Sequence, residues 1–193
     1  MAITDKAHAL IKDHLRNHFN GADMQLAIDA TCGNGHDTLF LLELGFKKVL
    51  AFDIQQSALD ATKQKLNEHK HKQQKSSYQL ILDGHENMSG YIEQAVDCIM
   101  FNFGYLPTAD KNLTTQAHTS LKAIQAAMNA LSEDGLITLL CYPGHPAGKI
   151  ETDQITAFLE SVDSNWKTTT HLASAPKPTA PILFTINKNN IKN

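Results

Sequence analysis

Apolar positions along the 193-residue chain follow two rhythms. Between residues 4 and 19 they return every three or four places, with Ala7, Leu10, Ile11, His14, Leu15 and Phe19 along one side. That spacing predicts an amphipathic helix with Thr4 as its cap. Beyond residue 22, short continuous apolar runs alternate with further helical stretches. "QLAIDA" (25–30), "KKVLAFD" (47–53), "YQLIL" (78–82), "VDCIMFNF" (96–103) and "GLITLLCY" (135–142) read as strands. "HDTLFLLEL", "SALDATKQKLNEHKHKQ", "TTQAHTSLKAIQAAMNAL" and "ETDQITAFLESV" read as the helices between and after them. In the third of these, Ala117, Leu121, Ile124, Met128 and Leu131 share a face, as in a helix lying on a sheet. The fourth opens with acids, which suit a first turn.

Five strands alternating with helices imply right-handed crossovers and a largely parallel sheet covered on both faces. Near the C-terminus the character changes. "WKTTTHLAS" and "PILFTINK", joined by "APKPTAP", predict an antiparallel pair at one edge. The expectation is one doubly wound α/β domain over residues 1–193, with seven strands and with residues 1–22 as an N-terminal helical extension.

Composition narrows the class. At 42% hydrophobic the chain can bury one well-packed core. The net charge of −3 argues against a general polyanion binder, while leaving room for a local patch. Arg16 is the only arginine, so phosphate contacts would be mostly point-charge contacts from lysines. Cys32, Cys98 and Cys141 are odd in number and sit in or beside apolar runs, as reduced thiols of a cytoplasmic protein do. "MAITDKAHALIKDHLRNHF" is charged throughout, and no apolar run approaches membrane-spanning length, so no membrane partner is expected. Cys32 with His36, or Cys141 with His145, lacks the further ligands of a tetrahedral site, so no metal is expected either.

The candidate chemistry lies at strand ends, where open parallel sheets bind ligands. The first strand ends at Asp29, and "TCGNGHD" leads directly into a helix, with Gly33 and Gly35 able to leave room for a ligand. A dinucleotide fingerprint requires a third glycine where Thr38 stands. An acid at Asp29 suits a positively charged amino group better than a pyrophosphate. S-adenosylmethionine, with its zwitterionic tail, sulfonium and ribose, fits that preference. Asp53 ends the second strand, where a carboxylate can accept both ribose hydroxyls, and Asp83 and His85 follow the third, on the adenine side. Structural roles compete at each position. Gly33 and Gly35 could simply shape a turn, Asp29 or Asn34 could cap the helix, Asp53 could cap the next one, and His85 could be a satisfied loop histidine.

Taken together, "DATCGNGHDTLFL", "AFDIQ", "DGHENM", "FNFGYLP" and "YPGH…G…E" resemble, in that order, the putative rRNA methylase family of small class I methyltransferases. The similarity spans about residues 28–158. The resemblance implies a Rossmann-like seven-stranded fold and S-adenosylmethionine-dependent N-methylation. Family members include enzymes acting on the aminomethyl group of a modified wobble uridine in tRNA. By the same resemblance Asp29, Asn34 and Asp37 belong to the first cofactor loop, Asp53 and Gln55 to the ribose loop, and Asp83 and His85 to the adenine side. One departure stands out. Pro143 occupies the place of a histidine expected in Tyr-His-Gly-His.

"NFGYLP" resembles the Asn-Pro-Pro-Tyr motif of amino methyltransferases. This implies that Asn102 and the carbonyl of Phe103 accept hydrogen bonds from the target nitrogen, with Tyr105 stacking on the base. The plainer alternative is a strand end followed by a turn. Tyr142, His145 and Glu151 follow the fifth strand towards the same crevice. His145 is a candidate proton acceptor or phosphate contact, and Lys111 is a candidate RNA contact. The expected partner is the anticodon region of tRNA, with a homodimer extending the RNA surface. The alternatives are ribosomal RNA or a small-molecule acceptor, an NAD-linked oxidoreductase, and a non-catalytic binding module.

Overall fold

The computed structural model describes residues 2–19, 23–69, 76–104, 117–172 and 177–189. Helix α1 (Ile3–Phe19) forms where the periodicity predicts it and buries Ala7, Ile11 and Leu15. The sheet has seven strands: β1 (Leu26–Asp29), β2 (Lys48–Asp53), β3 (Ser77–Leu82), β4 (Val96–Asn102), β5 (Leu131–Cys141), β6 (Trp166–His171) and β7 (Ile182–Lys188). Their spatial order is β3-β2-β1-β4-β5-β7-β6. The pairings from β3 through β5 are parallel. β7 runs antiparallel to both β5 and β6. The C-terminal pair thus lies at one edge as expected, with the last strand, β7, between β5 and β6.

Helices α2 (His36–Glu43), α3 (Gln56–Glu68), α4 (Ala117–Ala130) and α5 (Pro146–Ser161) cover the faces, and a short 3-10 helix follows β3 over His85–Gly90. The pleat of the central strands sorts their side chains between two cores. Ile28, Ile99 and Ile137 join the cluster under α4 and α5. Their neighbours Ala27, Cys98 and Leu136 join a cluster with Ile11 and Leu15 of α1 and Leu41 of α2. Alternation with both sides apolar is what a sheet buried on both faces demands.

Boundaries differ from the sequence reading in three places. α1 begins at Ile3, with Lys6 N–H bonded to the Ala2 carbonyl, so Thr4 lies inside the helix and is not its cap. Leu131, expected on the helix face, begins β5, which starts four residues ahead of Gly135. α5 begins at Pro146, ahead of the acidic stretch at Glu151, with His145 as its N-cap. Proline at a helix start loses no hydrogen bond, and its fixed φ suits the first turn. The sheet order reverses between β1 and β4, where chains leave in opposite directions and open a crevice.

Candidate active site

The first loop is fastened on both sides of β1. Ala30 N–H donates to the Met100 carbonyl (2.8 Å) and Cys32 N–H to the Phe52 carbonyl (2.8 Å). Gly33 and Gly35 adopt φ of 50° and 73°, conformations that other residues resist. A Cβ on Gly35 would stand 2.9 Å from the Thr62 Cα, so α3 approaches the loop too closely for any side chain there. Gly33 N–H donates to Asp53 Oδ2 (3.1 Å) and Gln55 N–H to Asp53 Oδ1 (3.0 Å). Asp53 therefore ties the first two loops together, with lone pairs left over for a diol. Burial raises its carboxyl above the usual range. The cap of α2 is Gly35, without a side-chain bond, and Asn34 is exposed.

Asp29 is fully buried. Its carboxylate accepts from Thr31 N–H (3.2 Å) and from Thr38 Oγ1 (2.6 Å). Burial, followed by the charge of Asp37, pushes this carboxyl up to about 7. Thr38, significant in the sequence only as a missing glycine, is thus the partner that anchors Asp29. Asp37 lies in the first turn of α2, and His8 Nε2 of α1 meets its Oδ1 at 2.6 Å. Neither the Thr38 contact to Asp29 nor the His8 contact to Asp37 is legible in the sequence.

The third loop departs from expectation in detail. Asp83 accepts from Gly84 N–H (2.8 Å), Asn87 Nδ2 (2.8 Å) and Tyr91 OH (2.9 Å). The Asn87 and Tyr91 bonds hold its carboxyl below the usual range, and they make Asp83 the lock of its own turn. His85 is buried and does not present an open edge. It meets Phe101 and Phe103 edge-on at 6.0 and 5.9 Å. Burial lowers its pKa, against smaller opposing contributions from the charge of Glu86 and a bond to the Ala30 backbone. Its position makes it a floor beneath the loops. Ile54 and Leu82, 58% and 55% exposed, instead offer apolar surface at the ends of β2 and β3.

At the end of β4, Asn102 N–H donates to Thr31 Oγ1 (2.8 Å) and Phe103 N–H to the Leu140 carbonyl (2.8 Å). Thr31 thereby links the two halves of the crevice, because its own N–H donates to Asp29 while its hydroxyl receives Asn102. Phe103 is buried and stacks on Phe101 at 5.1 Å. The Tyr142 ring packs on Gly104. Burial, with Asp37 as a further cause, raises the Tyr142 hydroxyl. Asp29, Asp37, Thr31, Asn102 and Tyr142 therefore converge at the switch point. Tyr105 and Lys111 lie outside the described residues.

His145 and Glu151 have structural partners. Gly148 N–H donates to His145 Nδ1 (3.1 Å), closing the start of α5, so that nitrogen is not open as a proton acceptor. A Cβ on Gly148 would lie 2.1 Å from the Tyr142 carbonyl oxygen, which sets how tightly this turn closes. Glu151, read as facing the crevice, is buried and accepts from Ser120 Oγ of α4 at 2.5 Å. Among the described residues no group of three or more His, Cys, Asp and Glu side chains is arranged to hold a metal. Nor is any of their helices long and apolar enough to cross a membrane.

This sheet order, with its crevice between β1 and β4, is the fold of the class I methyltransferases. A structure of a putative rRNA-methylase from Clostridium thermocellum superposes with a TM-score of 0.84 at 32% identity, covering 97% of this chain and 98% of that one. A putative methyltransferase from Streptococcus mutans, solved in complex with SAH (S-adenosylhomocysteine), gives 0.80 at 33% identity over 96% and 97% of the two chains. The family described as "Putative rRNA methylase" matches residues 49–187, and the chain belongs to it. The chain is also 34% identical over 166 residues to the chloroplastic tRNA (mnm(5)s(2)U34)-methyltransferase of Arabidopsis thaliana. That match covers 81% of this chain and 60% of the plant protein's length.

Proposed function

We propose that the chain is an S-adenosylmethionine-dependent N-methyltransferase acting on the aminomethyl group of a modified wobble uridine in tRNA. The observation that carries this is the Thr31 bridge. It couples the acid-lined loop at Asp29 to the strand end at Asn102, which supports a reading in which the proposed cofactor and acceptor pockets would share one support. Three carboxylates around adjacent strand ends fit a ligand with a cationic tail and a ribose diol, and repel a pyrophosphate. That disfavours the NAD-linked alternative.

Asp29 and Asp37 would face the cationic tail, Asp53 the ribose, and Ile54 and Leu82 the flat base. The bound cofactor supplies a methyl group on a positively charged sulfur. The protein's own contribution is to orient the acceptor and exclude water. Once the acceptor ammonium has given its proton to solvent, the Asn102 carboxamide oxygen and the Phe103 carbonyl would accept hydrogen bonds from the two N–H groups of the neutral amine and aim its lone pair. Phe103 keeps that carbonyl fixed because its own side chain is buried and its N–H is tied to β5. Tyr105 would stack on the extruded base, and Lys111 and Tyr142 would border the RNA. The proposed setting is the cytoplasm. A second copy of the chain would extend the RNA surface, and light scattering with and without tRNA would measure its presence.

The substrate test uses labelled S-adenosylmethionine and bulk tRNA that lacks the wobble-uridine methyl group, followed by digestion to nucleosides. Label is expected in 5-methylaminomethyl-2-thiouridine. Asn102→Ala should lower turnover by about a hundredfold or more, a loss typical of removing one aimed acceptor or donor. Its SAH affinity should stay within about twofold, because the cofactor contacts are untouched. Label in ribosomal RNA, or in neither RNA despite SAH binding, would discard the assigned substrate.

A further inference from the structure

We propose that His8 is a cofactor-positioning residue, holding Asp37 so that its second oxygen faces the ammonium of the cofactor's amino-acid tail; this rests on the S-adenosylmethionine reading above. The geometry begins with the ring itself. His8 lies flat on Phe40, with centroids 3.6 Å apart and planes within 1°. One turn further along α1, Lys12 Nζ stands 5.5 Å from the centroid of the same ring. The stack fixes the orientation of the imidazole, and its Nε2 meets Asp37 Oδ1 at 2.6 Å. Asp37 Oδ2 has no hydrogen bond among the described residues.

Stability alone does not account for this pair. α1 is already held by the burial of Ala7, Ile11 and Leu15, and a partly exposed polar pair adds little to such packing. Asp37 lies in the first turn of α2, directly after the loop that follows Asp29, and its charge is felt at both Asp29 and Tyr142. Without a partner, Asp37 would be repelled by Asp29 and free to turn away. A zwitterionic tail needs a carboxylate that stays put. Both His8 and Asp37 lie ahead of residues 49–187, the part of the chain that the family model matches.

The test compares two probes, SAH and 5′-methylthioadenosine, which shares the adenosine and thioether but lacks the amino-acid tail. Dissociation constants would be measured by calorimetry for wild type, His8→Phe and His8→Gln, with melting curves to confirm folding. His8→Phe keeps the stack and removes the donor. It should weaken SAH about tenfold, the size of one hydrogen bond to a charged group, and leave methylthioadenosine within about twofold. His8→Gln, which can place a donor near the Nε2 position, should recover most of the loss. Equal losses for both probes in a folded His8→Phe, no loss for either, or a His8→Gln no better than His8→Phe would overturn the inference. A wild type that binds neither probe would remove the cofactor reading and this inference with it.

Discussion

Asp29 makes a quantitative prediction about pH. Its carboxyl titrates near 7 in the empty protein because it is fully buried and close to Asp37. A bound ammonium would favour the ionised form and return the group towards its ordinary value near 4. Apparent affinity then follows the ionised fraction in the free protein: about one tenth at pH 6 and about three quarters at pH 7.5. SAH should therefore bind about eightfold more tightly at pH 7.5 than at pH 6, and at pH 7 binding should release about half a proton per site. Calorimetry in buffers of different ionisation enthalpy measures both quantities. Asp29→Asn carries the same His8, His36, Asp37 and ligand amine, so the ratio of the two proteins at each pH isolates Asp29. Parallel profiles between pH 6 and 7.5 would show that Asp29 either does not titrate there or does not sense the ligand.

The same group sets a sign for stability. The folded pKa is raised above the unfolded one, so Asp29 favours the folded state below about pH 4, and that contribution is lost as pH rises through 7. The shift from 3.8 to about 7 corresponds to an upper figure of about 4 kcal/mol. Asp29→Asn should therefore gain melting temperature relative to wild type at pH 8 and not at pH 4. A variant less stable than wild type at pH 8 would mean that its bonds to Thr31 and Thr38 outweigh the burial of the charge.

Two further outcomes concern the turn after β5. Gly148→Ala must move backbone, because the new Cβ would meet the Tyr142 carbonyl oxygen at 2.1 Å. A loss of about 3 kcal/mol is expected in chemical denaturation, and a loss of less than about 1 kcal/mol would contradict the packing described here. His145→Ala should cost about 1 kcal/mol through the lost cap, while His145→Asn, a residue favoured at that position, should restore both stability and turnover. Turnover abolished equally by both substitutions, with stability intact in His145→Asn, would return the residue to proton transfer.

How much of this was legible follows from the range of each signal. Strand ends announce themselves locally, as an apolar run closed by an acid or amide, and so Asp29, Asp53 and Asn102 are placed at strand ends by the sequence alone. The roles of side chains after β5 depend on a turn whose shape the pattern does not carry. His145 looked available because a histidine in a loop has no periodicity to account for it, yet Pro146 immediately after it was a helix-start signal that assigns it the cap. Thr38 stands where a dinucleotide fingerprint has glycine, and that comparison conceals its hydroxyl, although Asp29, nine residues earlier, requires a donor once buried. His8 is the hardest case. It occupies the partly buried flank of an ordinary amphipathic helix, and its partner lies 29 residues away on another helix. Only the packing of α1 against α2 brings them together, and that packing is specified by Ile11, Leu15 and Phe40, residues with no chemistry of their own. An N-terminal helix that looks like a cover for the sheet can in this way supply a polar contact to the site. If the proposed reading holds, the residues ahead of β1 belong in the account of cofactor binding by this chain, because Asp37 is held from there by His8.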